Sequence, residues 1–233
     1  PVTNGHVVVV HFGSGDLAAY DFDGKQMWRR NLQKDHGDYT IWWGHGNSPL
    51  ICDGLVISIC IQDSCFDLPG QPSPSYVVAH DLLSGQRRWM TMRMTDATYE
   101  HCDAYTTPIL RDNGDRKEIV VIGGQVLDAY EPTSGKRLWK MAELPGNRLI
   151  PSPVAAQGMI FATLGMREAL IAVKVGGSGE RPKDDIVWEY DQGISDSPSP
   201  VVSGDLIYFV NNGGIARCLN AKDGRMLWVQ RLP

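Results

Sequence analysis

The chain is 233 residues long with 25 glycines, 14 prolines and 7 tryptophans, and 27 acidic against 22 basic residues leave a net charge of −5. That balance offers no attraction to a phosphate backbone, so nucleic acid is not an expected partner. With 42% hydrophobic and 21% charged residues the composition is that of a folded chain, and its longest apolar runs, 7–10 and 119–122, are too short to span a bilayer, so no transmembrane segment is expected.

The chain opens Pro-Val-Thr-Asn, without an initiator methionine, a basic region or an apolar leader. It reads as a processed product or a piece of a longer protein. Its first unit sets the pattern. Pro1–Thr3, His6–Phe12, Leu17–Asp21 and Gln26–Asn31 alternate or cluster β-formers without a sustained helical period, and predict four short strands. Asn4-Gly5 joins the first two and Asp23-Gly24 the last two, turn pairs that tolerate positive φ.

The same unit returns along the chain. AAYDFDGKQMW (18–28) is followed by VAHDLLSGQRRW (78–89), DAYEPTSGKRLW (128–139), IAVKV…DDIVW (171–188) and RCLNAKDGRMLW (217–228). Gly24, Gly85, Gly135 and Gly224 each stand four residues before a tryptophan. A second signature precedes each later unit: Ser48-Pro49-Leu50, Thr107-Pro108-Ile109, Ser152-Pro153-Val154 and Ser199-Pro200-Val201, with Pro1-Val2 in the same slot. The prolines step by 48, 59, 45 and 47 residues. A four-stranded unit of this length, repeated, predicts an all-β propeller whose blades are approximately 1–47, 48–106, 107–151, 152–198 and 199–233.

A blade alone leaves both sheet faces bare, so its core exists only once a neighbour stacks on it. Trp28, Trp89, Trp139, Trp188 and Trp228 are therefore assigned to blade docking, each indole reaching the adjacent blade and donating its N–H to a carbonyl. The stretch 176–184 reads as an insertion in one outer hairpin, because Ala172 to Trp188 is six residues longer than Ala129 to Trp139.

Ala-x-Asp-x-x-x-Gly-x-x-x-Trp preceded by Ser-Pro-Val resembles the pyrroloquinoline-quinone-type (PQQ-like) propeller repeat, and the resemblance covers essentially the whole chain. That family includes quinoprotein dehydrogenases, the outer-membrane assembly lipoprotein BamB and sensor propellers. It commonly has seven or eight blades, so the resemblance implies that the five repeats here are a fragment or partial arc of a larger ring, with remaining blades in sequence beyond this chain; a closed five-blade ring is the alternative. It further implies an exported or periplasmic location.

Strand order fixes which loops share a face. The between-blade segments 31–47, 91–106, 141–151 and 189–198 lie with 61–75, 164–168 and 211–214 on one side. That side is expected to gather His36, Trp42, Trp43, His45, Tyr99, His101, Asp103, Tyr105, Arg148 and Asp196, and long loops of this kind carry function. Trp42 and Trp43 break the repeat pattern. His45, His101 and Asp103 have the donor types of a zinc or iron site, but no ligand spacing supports one, and no metal site is assigned. Cys52, Cys60, Cys65, Cys102 and Cys218 are odd in number and follow no Cys-x-x-Cys spacing, against a disulfide framework or a structural zinc.

Two functions compete. As a quinoprotein dehydrogenase fragment, the resemblance would imply PQQ with calcium and a catalytic Asp base. Such alcohol dehydrogenases carry a disulfide between adjacent cysteines, whereas Cys60 and Cys65 here lie five apart, and no calcium-ligand motif can be matched. The favoured expectation is a noncatalytic scaffold, resembling BamB-like envelope proteins, with no cofactor and a protein partner anchored on Trp42 and Trp43. A propeller sensing a small ligand in its funnel is the third reading.

Overall fold

The computed structural model describes residues 1–41, 43–62, 75–112, 114–166 and 168–233. It contains five sheets in chain order, each built on four antiparallel strands, the third extended by a fifth strand from the next blade. Blade 1 is Val2–Thr3 (β1), Val7–His11 (β2), Asp16–Asp21 (β3) and Gln26–Asn31 (β4), followed by the short helix Leu32–His36 (α1). Blade 2 is Leu50–Cys52 (β5), Leu55–Cys60 (β6), Tyr76–Asp81 (β7) and Arg87–Met92 (β8). Blade 3 is Ile109–Asp112 (β9), Lys117–Gly123 (β10), Val126–Tyr130 (β11) and Arg137–Met141 (β12). Blade 4 is Val154–Ala156 (β13), Met159–Thr163 (β14), Leu170–Lys174 (β15) and Ile186–Tyr190 (β17), with Gly179–Glu180 (β16) inside its outer hairpin. Blade 5 is Val201–Ser203 (β18), Leu206–Val210 (β19), Ile215–Asn220 (β20) and Met226–Arg231 (β21). The first strands of successive blades neighbour one another in the order β1, β5, β9, β13, β18.

Burial follows position in this stack. Every residue of β6, β10 except Lys117, β11 and β14 is buried, because the middle blades are covered on both faces. In β2 and β19 buried positions alternate with part-buried ones, and β21 is exposed throughout. The end blades therefore have one covered face each.

Both sequence signatures have a structural cause. The indole N–H of Trp28 donates to the Leu82 carbonyl of blade 2 at 2.8 Å, that of Trp89 to Pro132 of blade 3 at 2.9 Å, and that of Trp188 to Ala221 of blade 5 at 2.9 Å. Each ring lies against the hairpin glycine of the blade it reaches. A Cβ at Gly85 would come within 2.6 Å of Trp28, at Gly135 within 2.3 Å of Trp89, and at Gly224 within 2.7 Å of Trp188. These glycines also have positive φ, so turn and ring both demand the missing side chain. Within each blade the tryptophan pairs with a small residue of the third strand, Ala19, Ala79, Ala129, Ala172 or Cys218, and the register slips immediately after that residue. The bulge sharpens the local twist of the outer edge.

The Ser-Pro signature forms an inner chain of hydrogen bonds. The Ser48 amide donates to Thr107 Oγ1 at 3.0 Å, the Thr107 amide to Ser152 Oγ at 2.8 Å, and the Ser152 amide to Ser199 Oγ at 2.9 Å. A hydroxyl at this slot satisfies an inward amide of the preceding blade, which has no ladder partner there.

Two tryptophans depart from the pattern. Trp139 donates to Glu118 Oε1 of its own blade at 3.3 Å, and the guanidinium of Arg181 stacks over its ring at 4.8 Å. The reason is the blade 4 insertion: β16 crosses to blade 3 and pairs parallel with β12, Trp139 opposite Gly179 and Lys140 opposite Glu180. Trp228 is 44% exposed, since β21 has its outer face in solvent.

Candidate functional site: a cavity at the between-blade connections

Four between-blade segments converge on one cavity of about 510 Å³, lined by Trp43, Gly44, His45, Gly46, Tyr105, Arg148, Ile150, Asp196 and Ser197. Five of the ten residues expected on this face thus share one wall: Trp43, His45, Tyr105, Arg148 and Asp196. A larger hollow of about 730 Å³, lined in part by Met94, Gln125, Lys140, Glu143 and Lys183, contains none of them.

The remaining five have other places. His101 lies beside the cavity, where its Nδ1 meets the Gly146 carbonyl at 2.6 Å. Since a carbonyl only accepts, Nδ1 carries the proton. Gly146 has φ +138°, and a Cβ there would sit 1.9 Å from the Leu164 carbonyl oxygen, so this turn closes only around glycine. Asp103 is buried, its amide donating to Glu100 and its carbonyl accepting from Leu149. Tyr99 is 66% exposed with φ +53°. His36 lies apart, on α1 between blades 1 and 2. Trp42 lies outside the described residues.

Arg148 is placed by strain. Its φ of +44° is left-handed for a non-glycine residue, and its amide donates to the Glu100 carbonyl at 3.1 Å, tying 141–151 to 91–106. That conformation turns the guanidinium beside Tyr105 and Asp196 on the cavity wall. Burial and the neighbouring Asp103 carboxylate push the Tyr105 hydroxyl up to about 12, so it stays protonated.

The polar atoms of this wall are incompletely satisfied. Arg148 Nε, Asp196 Oδ1 and His45 Nδ1 are buried without hydrogen-bond partners in the protein. Asp196 uses its other oxygen to accept from Asn212 at 3.3 Å. The Nε2 of His45 meets the Ile59 carbonyl at 3.0 Å and so carries the proton, leaving Nδ1 as an acceptor. These polar atoms lie buried just beneath the wall of an aromatic cavity, beside a Trp43 that is 68% exposed.

A part-buried histidine underlies this wall. His11 Nε2 lies 3.0 Å from Tyr39 Oη, His45 stacks on Tyr39 at 4.7 Å, and the His11 and His45 rings are 4.2 Å apart. Burial, reinforced by His45, lowers His11 from 6.5 to about 3. Below pH 6.5 the unfolded chain takes up a proton that the folded state refuses until about pH 3. Stability is therefore complete above that upper value and is lost as pH falls. The loss from His11 by pH 5 is about 2 kcal/mol. Urea unfolding of wild type and His11→Gln at pH 7 and pH 5 checks this; an equal loss in both would remove His11 as the cause.

The calcium implied by the sequence resemblance finds no ligand set on this wall. Among the described residues lining it there is a single carboxylate, Asp196, set beside the Arg148 guanidinium. A calcium site needs six or more oxygen ligands, with negative charge among them. Cys52, Cys60, Cys102 and Cys218 are buried, and Cys65 lies outside the described residues.

Residues 123–233 match the family described as outer membrane protein assembly factor BamB. Among solved structures, BamB from Moraxella catarrhalis superposes with a TM-score of 0.64 at 16% identity, covering 97% of this chain and 61% of that one. A quinohemoprotein alcohol dehydrogenase, ADHIIG from Pseudomonas putida HK5, gives 0.65 at 14% identity over 99% of this chain and 41% of that one. The computationally designed Ika8 protein gives 0.62 at 10% identity, over 99% and 60%. A search of curated protein sequences found no match. The chain spans about three-fifths or less of the length of these structures. Its fold is that of a β-propeller, and over residues 123–233 it resembles the BamB family.

Proposed function

We propose that the chain is a noncatalytic scaffold of the cell envelope that holds a protein partner at its between-blade cavity. The observation that carries this reading is the cavity wall itself: an exposed aromatic anchor, Trp43, beside one buried donor and two buried acceptors that lack partners. Unpaired buried polar groups are costly, and a partner that brings both amide N–H and carbonyl groups removes the cost. A peptide segment does so, and exposed tryptophans commonly dominate such contacts. The match of residues 123–233 to an outer-membrane assembly factor supports the envelope as the place to look.

The test is capture from a detergent-solubilised envelope extract on immobilised chain. Wild type is expected to retain a discrete partner in near-stoichiometric amount. Trp43→Ala is expected to retain at least tenfold less, with an unchanged melting curve. Equal capture by both forms, or none by either, overturns the reading. Saturable quenching of tryptophan fluorescence by quinone with calcium present would favour the redox alternative in its place.

A further inference from the structure

The loop 31–47 begins with α1, which wedges between blades 1 and 2. Asn31 caps it, its side chain accepting from the Lys34 amide. The last residue of α1, His36, meets His80 of β7 across the seam, with ring centroids 6.4 Å apart and planes at 43°. The Asp35 carboxylate joins them, so that one donor atom from each residue lies within 4.8 Å of the other two. No second such grouping occurs among the described residues.

The imidazole donors are uncommitted. His80 is wholly buried, yet neither of its ring nitrogens has a hydrogen-bond partner. The buried Nε2 of His36 has none either. Native proteins rarely leave such groups unmatched, because each costs its full desolvation. Asp35 is held from behind: Arg30 donates to Oδ2 through Nε at 3.0 Å and through Nη2 at 2.9 Å. An outer partner that orients a carboxylate while leaving its other oxygen to a ligand is the usual support of a metal ligand.

We propose that Asp35, His36 and His80 form a binding site for a divalent transition metal of zinc type. Two imidazoles and one carboxylate suit zinc, cobalt or nickel, whereas calcium and magnesium need an oxygen cage that is not here. Arg30 takes up part of the carboxylate charge, and Arg87, which pairs with His80 in the ladder, opposes a cation. The nitrogens therefore carry the affinity. Tetrahedral bonds of about 2.0 Å set donors about 3.3 Å apart, so binding draws the three inward. His80 is fixed in its strand and the five-residue α1 supplies the movement. Three protein ligands leave a fourth position for water. The metal braces the segment that leads to Trp43 and His45 against blade 2, and the site does not depend on the function proposed above.

The experiment is titration of untagged, chelator-stripped chain with Co²⁺ and then Zn²⁺, by calorimetry and visible absorption. One equivalent of cobalt is expected, with the absorption of a low-symmetry nitrogen–oxygen site that zinc abolishes. His36→Ala, on the half-buried face of α1, and His80→Ala are each expected to weaken binding at least a hundredfold. Arg87→Gln is expected to strengthen it by about threefold, a gain that a merely structural histidine pair would not give. Melting of the metal-free variants identifies any that fail to fold; His36→Ala and Arg87→Gln, at more exposed positions, keep the test decisive. Absence of binding at millimolar zinc overturns the proposal. So does unchanged affinity in folded His36→Ala, which would place the metal elsewhere.

Discussion

Replacing Trp139 with alanine is expected to lower the unfolding free energy by about 4 kcal/mol, while the same change at Trp228 costs under about 1 kcal/mol. Trp139 is 1% exposed and Trp228 is 44% exposed, although both occupy the same place in the repeat. At Trp139 three losses coincide. The ring leaves a cavity in a fully packed interface, the N–H bond to Glu118 disappears, and Arg181 loses the ring beneath its guanidinium. The first dominates, as large-to-alanine changes in cores cost about 3–5 kcal/mol. The stacked cation adds about 1 kcal/mol at a partly shielded site. Urea unfolding of the two variants measures the contrast; equal costs would mean that repeat position, and not burial, sets the contribution.

The second large effect lies in the seam between blades 2 and 3. Arg93, just after β8, is fully buried and donates through Nε to Asp128 Oδ1 at 3.2 Å and through Nη2 to the Val126 carbonyl at 2.8 Å. Tyr130 donates to the other Asp128 oxygen at 2.7 Å. Burial pushes the Asp128 carboxyl up while Arg93 holds it down. Asp128→Ala removes the carboxylate that accepts from both Arg93 and Tyr130 in a fully buried seam, and is expected to cost about 4 kcal/mol. Pairing Arg93→Met with Asp128→Leu removes both charges together and should recover most of that loss. A double mutant as unstable as Asp128→Ala would show that shape, and not charge, holds this seam.

What was legible in the sequence was whatever repeats at short range. Ala19, Gly24 and Trp28 sit within ten residues of one another, and their recurrence at 79–89, 129–139 and 218–228 announced both the strands and the blade. The partner of each signature was not legible. Trp28 seats on Gly85, 57 residues on, and nothing local couples them. The same limit hid the two departures. The insertion at 176–184 was visible as extra length, but its crossing to β12 depends on blade 4 lying beside blade 3. His36 and His80 are 44 residues apart and on different blades, so their meeting follows only from how α1 enters the seam. At the cavity, strand order alone brought Trp43, His45, Tyr105, Arg148 and Asp196 together, because between-blade segments share a side. It could not exclude His36, whose helix was invisible in five residues.

The crossing of β16 has a mechanical consequence. Blade 4 has two backbone residues in the ladder of blade 3, reinforced by the Arg181 amide on the Lys140 carbonyl at 2.7 Å and by Lys140 with Glu180 at 3.2 Å. Neighbouring blades joined only by side chains open like the leaves of a hinge, one contact after another. Here backbone hydrogen bonds join the two sheets, so separating blades 3 and 4 breaks ladder bonds as well as side-chain contacts. Blades 3 and 4 therefore resist prising as one rigid segment, and deformation of the arc concentrates in the seams on either side of them.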